Sequence, residues 1–501
     1  MKDDPMFATR NRWTVLAAFA AGLVPMLGES SALAQAVASD PVSAASAVSI
    51  PTPAAPQAEI LPGGRPGPSG VLQLFRWTED WSAPPAPGTP LVDRIRHIPL
   101  GSSDTYLSLG GEIRAYYTDW QHSALGLRAA DDNDPLQLRL RLLADLHIGP
   151  HVRAFVEVGD NREFGAQFAT LPNRGRLNLQ QAFIDLTLPL GNSGSITLRP
   201  GRFEMPLGNN KLVSVRDAMN ERFTYQGLRA TYILHGSLSV DVFAVRPVSL
   251  KPGTFNDGPS HVSSFRGVYV SAAKGPFGLG TDAYWYRLDR EVAVLGPRSG
   301  EDRRNTWGMR AWKRTSNWDL DVEGAYQTGT FGSRDIAAWA VMFESGVTLS
   351  KTAMTPRLGL RANVFSGNHD PSGKASGTFV PAFPRFGLIS EAAFFNLSNL
   401  MDIYPSLTLS PHRDITVTVG PDFLWRNSRA DGIYIGATGA AFAAYGSGRF
   451  TGTDLNLQAN WQATKHLQFT LYETFFSASG SLTSYGGKNG NYLGIQSDFK
   501  F

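Results

Sequence analysis

Along much of this 501-residue chain the side chains switch between apolar and polar at every step. Leu136, Leu138, Leu140 and Leu142 alternate with Gln137, Arg139 and Arg141. A strand sends successive side chains to opposite faces, so such a segment is a strand with one oily and one polar face. The pattern recurs. Leu107, Leu109, Ile113, Ala115 and Tyr117 oppose Glu112, Arg114 and Tyr116; Val152, Ala154, Val156 and Val158 oppose Arg153 and Glu157. Ala182, Ile184, Leu186 and Leu188 oppose Gln181, Asp185 and Thr187; Leu455, Leu457, Ala459 and Trp461 oppose Asp454, Asn456, Gln458 and Asn460. The chain ends in the same way, with Leu493, Ile495, Phe499 and Phe501 against Gly494, Gln496, Asp498 and Lys500. An aromatic last residue on such a strand is the usual ending of a bacterial outer-membrane barrel.

A soluble sandwich would show the same alternation. Three features separate the two. Turns at Gly149-Pro150 and Gly191-Asn192-Ser193-Gly194 are short, while other connections are long and polar. The polar faces carry full charges of both signs. Tyr284, Trp285, Tyr286, Trp307 and Trp312 recur near strand ends, where interfacial aromatic girdles lie. The expected fold is all-β: a closed antiparallel transmembrane β-barrel of outer-membrane type, with about 18 strands. Breaks in the pattern at residues 246–264, 368–395 and 427–449 are expected to be loops that fold over the pore.

The N-terminus fits export. Lys2, Arg10 and Arg12 precede an apolar run over residues 13–27, followed by small-x-small cleavage options near Ala34 and Ala36. Residues 1–36 read as a cleaved signal peptide, too short for a comfortable span. Residues 37–73 are rich in Ala, Pro and Ser and read as an extended spacer. Residues 74–104 are expected to pack at or inside the barrel mouth, and 105–501 to form the barrel. No cysteine is present, as suits an exported chain. After the leader no apolar run reaches the length of a membrane-spanning helix.

The net charge is +3, which gives no bulk reason to bind nucleic acid. The basic residues are skewed, with 36 arginines against 10 lysines. Codon bias accounts for part of this; position along the strands decides the rest. By strand phase Arg114, Arg139, Arg141, Arg153, Arg199, Arg229, Arg310, Arg361 and Arg426 face inward, beside Glu112, Asp145, Glu157, Asp185, Asp241, Asp321 and Glu323. Each could line a pore or merely brace the wall as an arginine–carboxylate pair. Phe183, Tyr116 and Phe243 also point inward, either to stack on sugars or to pack under a loop. The acidic run Asp131-Asp132-Asn133-Asp134 offers hard oxygen ligands for Ca²⁺, but reads more simply as a solvated loop or a partner of arginines.

Several ordered motifs resemble the outer-membrane alginate exporters and their alginate-export relatives. They begin with Arg76-Trp77-Thr78-Glu79-Asp80-Trp81 and Arg96-His97-Ile98-Pro99-Leu100. They continue with Gly110-Gly111-Glu112-Ile113-Arg114, Gln180-Gln181-Ala182-Phe183-Ile184-Asp185 and Gly201-Arg202-Phe203-Glu204. Phe365-Ser366-Gly367-Asn368, Thr378-Phe379 and Gly452-Thr453-Asp454-Leu455-Asn456-Leu457 complete the series. The resemblance departs at His97, Phe203 and Asn368, where the family pattern has Tyr, Gln and Asp.

This resemblance implies an 18-stranded barrel that exports an anionic polysaccharide, an alginate-like polyuronate, through an arginine-lined pore. It implies an inner-membrane synthase and periplasmic scaffold proteins as partners. Any barrel of this class also meets outer-membrane lipid, lipopolysaccharide and the barrel-assembly machinery. The residues leave open an uptake porin for small acidic sugars or other anions, and a barrel hydrolase. Neither a Gly-x-Ser-x-Gly elbow, a phosphate-binding glycine loop nor a helical two-histidine zinc spacing is present, so no catalytic residue, cofactor or metal is expected.

Overall fold

The computed structural model describes residues 67–102, 104–126, 131–168, 171–234, 238–350, 354–435, 439–442 and 448–501. The expected signal peptide and most of the spacer lie outside the described residues. Eighteen long strands follow one another: β1 (Thr105–Gln121), β2 (Leu136–Ile148), β3 (Val152–Phe164), β4 (Asn178–Pro189), β5 (Ser195–Phe203) and β6 (Tyr225–Leu234). Next come β7 (Leu238–Ser249), β8 (Ser263–Ala272), β9 (Gly280–Leu295), β10 (Arg298–Arg314), β11 (Trp318–Phe331) and β12 (Arg334–Thr348). The last six are β13 (Met354–Phe365), β14 (Leu400–His412), β15 (Ile415–Trp425), β16 (Phe450–Gln462), β17 (Leu467–Ala478) and β18 (Gly490–Lys500).

Each strand pairs antiparallel with the next, and β1 pairs with β18, so the sheet closes on itself. At the seam Arg114 faces Asp498 and Glu112 faces Lys500. Closure removes the unpaired edge that hydrocarbon would not tolerate. Among the described residues no helix is long and apolar enough to cross a membrane; the strands make the crossing.

The faces follow the alternation. Leu138, Leu140 and Leu142 are 38%, 45% and 50% exposed on the outside, while Gln137, Arg139 and Arg141 are 2%, 1% and 1% exposed within. The aromatic girdle expectation needs correction. Trp285 and Trp307 pair side by side on the outer face, their ring centroids 5.8 Å apart. Tyr284 and Tyr286 are buried inside and stack on each other, because they share the strand phase of inward Asp282. Trp312 shares the phase of Arg310, whose guanidinium sits 5.5 Å from its ring.

Three segments fill the lumen. Residues 204–224, between β5 and β6, turn inward from the loop end of the barrel. Residues 366–399, between β13 and β14, do the same. The two meet: the Ser214 N–H donates to the Phe383 carbonyl at 2.8 Å, and the Phe383 N–H donates to the Leu212 carbonyl at 3.0 Å. Their contact is an apolar core inside the barrel, where Phe383 packs on Tyr225 and Phe265, and Phe265 on Phe243. Phe243 is thus packing under a loop. The sequence reading of residues 368–395 as a loop over the pore fits this arrangement. Residues 204–224 escape that reading, because Leu212, Val213, Ser214 and Val215 mix apolar and polar residues much as a strand does.

The third segment comes from the opposite end, where the turns are short. Trp77 and Arg76 are buried there. Arg76 donates from Nη1 to the Gly111 carbonyl at 2.6 Å and from Nη2 to the Phe501 carbonyl at 2.9 Å, and so bridges the seam from within. The Gly110-Gly111 pair has a physical reason. A Cβ at Gly110 would lie 2.6 Å from the Phe501 carbonyl oxygen, and one at Gly111 would lie 2.6 Å from both the Phe501 ring and the Arg141 carbonyl.

The outward position of Leu138 generates a prediction. Leu138→Arg should cost roughly 2–4 kcal/mol of insertion free energy if the site lies near mid-bilayer. The loss should appear as a smaller folded band in a heat-modifiability assay; normal assembly would contradict the face assignment.

Candidate functional site: the charged lumen

The inward charges fall into separate groups rather than one continuous ladder. Beneath the seam, β1 contributes Glu112 and Arg114, β2 contributes Arg139 and Arg141, and β3 contributes Glu157. They do not stand open to water. The loop 204–224 lies on them. Arg114 donates to the Asp217 and Met219 carbonyls at 2.6 and 3.0 Å. Arg139 donates to Glu112 and to the Asp217 carboxylate, each at 2.9 Å, and to the Asn220 carbonyl at 2.7 Å. Arg141 lies 3.5 Å from Glu157 and 3.7 Å from Glu204. Arg222, from the loop itself, reaches Asp217 at 2.5 Å and the Leu74 carbonyl at 2.9 Å. A guanidinium fork with several donors suits this role: it binds a carboxylate and backbone carbonyls together.

The second group, near the short turns, joins Asp145, Arg153, Asp185, Arg199, Arg229 and Asp241. Arg153 holds Asp145 through two donors at 2.8 Å each; Arg199 holds Asp185 through two at 2.6 Å. Arg229 donates to Asp241 at 2.8 Å. Phe183 packs against the Arg199 guanidinium, 3.9 Å from ring centroid to Cζ. The third group joins Arg310 to Asp282 at 2.9 Å and to Asp321 at 2.5 Å. Glu323 accepts from the Tyr284 hydroxyl at 2.7 Å, and Lys211 of the loop reaches Asp321 at 3.3 Å.

Arg361 belongs to a fourth group. It donates to Asp402 at 3.1 Å and also to Asp422. It borders a cavity of about 230 Å³ on the wall formed by β11–β17. Arg357, Arg385, Glu344 and Glu391 line the same cavity, with hydroxyl and amide groups from Tyr404, Ser406, Thr408, Thr418, Asn456, Gln458, Tyr472 and Thr474. The Arg385 Nε–H has no acceptor among the described residues. Arg426 departs from its expected lumenal place. It follows the end of β15 and donates to the Gly448 carbonyl at 2.9 and 2.8 Å, so it braces its own loop. Tyr116 contacts the Tyr492 hydroxyl in the barrel interior.

Sequence phase could not find Asp217, Glu204 or Arg222, which sit on a loop with no period to read. The cluster Arg216-Asp217 and Glu221-Arg222 was the available signal. In the acidic run, Asp131 accepts from the Gly126 N–H at 2.7 Å and Asp132 from the His122 N–H at 2.8 Å. The ligand atoms of His122, Asp131 and Asp132 lie within 4.8 Å of one another. These two carboxylates cap loop amides.

Two loop carboxyls have opposite electrostatics. Burial works against ionisation of Asp217, but Arg222, Arg139 and Arg114 outweigh it and hold the carboxyl well below its ordinary range. Glu221 is pushed up to about 8, chiefly by burial and then by the neighbouring Asp257 carboxylate. The docked loop therefore favours protonated Glu221. That contribution is complete below the ordinary glutamate range and fades as pH rises through about 8.

Two outcomes follow for the loop. Asp217→Ala leaves Arg139 and Arg222 short of a counter-charge and should loosen the loop by roughly 3 kcal/mol, read as faster proteolysis within 204–224. Closed-state dwell times in single-channel records should shorten between about pH 6 and about pH 9, and Glu221→Gln should flatten that dependence. An equally steep profile in the variant would remove Glu221 from the account.

Comparison with solved structures shows the same architecture. The outer-membrane protein OpdK of Pseudomonas aeruginosa superposes with a TM-score of 0.51 at 9% identity, covering 79% of this chain and 98% of that one. OccK11 (OpdR) of Pseudomonas aeruginosa gives 0.50 at 10% identity over 79% and 96%. OccAB4 of Acinetobacter baumannii gives 0.50 at 12% identity over 78% and 97%. At such identities the likeness concerns the fold. A search of curated proteins finds no match. The alginate export profile matches residues 105–496, nearly the whole barrel. With the closed 18-stranded barrel, that match makes the chain a member of the alginate export family and an outer-membrane channel protein.

Proposed function

We propose that this channel passes an anionic polysaccharide, an alginate-like polyuronate, outward across the outer membrane. One observation carries the reading: the cavity on the β11–β17 wall combines Arg357, Arg361 and Arg385 with a field of hydroxyl and amide groups. A polyuronate carries a carboxylate on every sugar and hydroxyls between them. Guanidinium forks recognise the first and the neutral polar groups recognise the second. Glu344 and Glu391 keep the wall from becoming a trap, since conduction needs sites that release as well as bind. Arg139 works in closure, because its donors meet the docked loop at Asp217, Met219 and Asn220. A polymer would displace residues 204–224 or 366–399 to pass.

The cavity volume favours a second reading, uptake of small acidic sugars, since about 230 Å³ suits a monomer better than a chain. Length dependence separates the two. In planar bilayers, oligomannuronates should block current for longer as chain length increases, whereas a small-solute porin would favour the monomer. Arg357→Glu combined with Arg361→Glu should move the reversal potential in a salt gradient away from anion preference. An unchanged potential would place the conducting path elsewhere.

A further inference from the structure

At the loop end of the seam, outside the lumen, metal-ligating side chains converge. His122 follows β1 directly and Asn489 precedes β18 directly, so both stand on the rim where the barrel closes. The connection from β1 to β2 returns to the same place and brings Asp131 and Asp132 with it. One ring nitrogen of His122 and one oxygen of each carboxylate lie within 4.8 Å of one another. The group thus mixes an imidazole with two carboxylates, and its histidine comes from outside the acidic run.

Amide caps account for one oxygen of each carboxylate: Asp131 Oδ2 accepts from the Gly126 N–H, and Asp132 Oδ1 from the His122 N–H. They do not account for the charge. Asp131 is only 6% exposed, yet among the described residues no Lys or Arg forms an ion pair with it or with Asp132. Lys488, whose side chain lies against Gly126, pairs with neither. A buried carboxylate is ordinarily paired with a cation or bound to a metal. His122 is set for the second arrangement by a group outside the cluster. Its Nδ1 lies 2.9 Å from the Asn489 carbonyl. A backbone carbonyl only accepts, so Nδ1 carries the hydrogen and Nε2 keeps its lone pair. Ligating histidines are commonly oriented in this way through the other ring N–H.

The donor set discriminates between cations. Calcium takes about six to eight oxygens. Asn133 Oδ1, the next oxygen of the run, is already spent on the Gln167 N–H at 2.8 Å. One imidazole with two carboxylates suits zinc, which takes three protein ligands and a water at about 2.0–2.2 Å. Such bonds would draw the three ligand atoms to roughly 3.4 Å apart. Asp132 is exposed and free to make that closure.

We propose that His122, Asp131 and Asp132 form a zinc site on the extracellular rim of the seam. The Lys488 N–H donates to the Leu125 carbonyl at 3.0 Å, so the β1–β2 connection already touches the segment that leads into β18. A bound ion would fasten that connection across the point where the first and last strands meet, and so clamp the closed barrel from above.

The test uses the full chain, refolded in detergent without a histidine tag and stripped with a chelator. Calorimetry follows titration with zinc chloride, with calcium and magnesium chloride as comparators. One saturable zinc ion per barrel is expected, bound at least tenfold tighter than either comparator. His122→Asn removes the imidazole and suits the left-handed backbone at this position, where φ is +55°. Asp131→Asn removes the buried charge and keeps an oxygen to cap Gly126. Each should weaken zinc binding at least tenfold while the zinc-free protein still shows its folded band in the heat-modifiability assay. Zinc should raise the temperature at which that band is lost in the parent, and not in the variants. No saturable zinc binding, or binding of parental strength in both variants, overturns the site. Calcium binding as tightly as zinc overturns the role given to the imidazole. Zinc binding that leaves the transition temperature unmoved overturns the clamp.

Discussion

Hydrocarbon cannot hydrogen-bond a peptide group, and this one fact governs the molecule. It requires the eighteen strands to close through the pairing of β1 with β18. It requires one face of each strand to be oily across the membrane, which sends the charges of that stretch to the interior. The interior then concentrates arginines and carboxylates that must neutralise one another, as Arg153 does Asp145 and Arg199 does Asp185. The charged lumen is thus a consequence of the lipid outside as much as of any solute inside.

Neutralisation also explains why the lumen divides into separate compartments. Under the seam, Asp217 of the loop 204–224 supplies the counter-charge that the wall lacks around Arg139, and the loop is held there. On the β11–β17 wall, Arg361 finds its carboxylates on the two strands that follow, at Asp402 and Asp422. The loop 366–399 adds the Ile389 carbonyl to the same guanidinium, and a cavity remains beside it. Burying paired charges contributes little net stability, but it fixes which partner goes where.

Side-chain facing was legible in the chain because it depends on a local period of two. Arg139 and Leu138 could be assigned to opposite sides without knowing any neighbour. The same rule, applied strictly, would have placed Tyr284 and Tyr286 inside; their aromatic character suggested an interfacial girdle instead. What the chain did not disclose was contact across the lumen. Arg139 meets Asp217, 78 positions away, through a loop whose course no periodicity records. The distinction between an arginine that is inward and one that is accessible lies in such long-range packing.

The bridge that Arg76 makes between Gly111 and Phe501 ties three distant points of the polypeptide together. Residue 76 is translated long before residue 501. The arm at the barrel's foot therefore has no complete anchor until Phe501 has been made and the cylinder has shut. Its docking marks a finished wall.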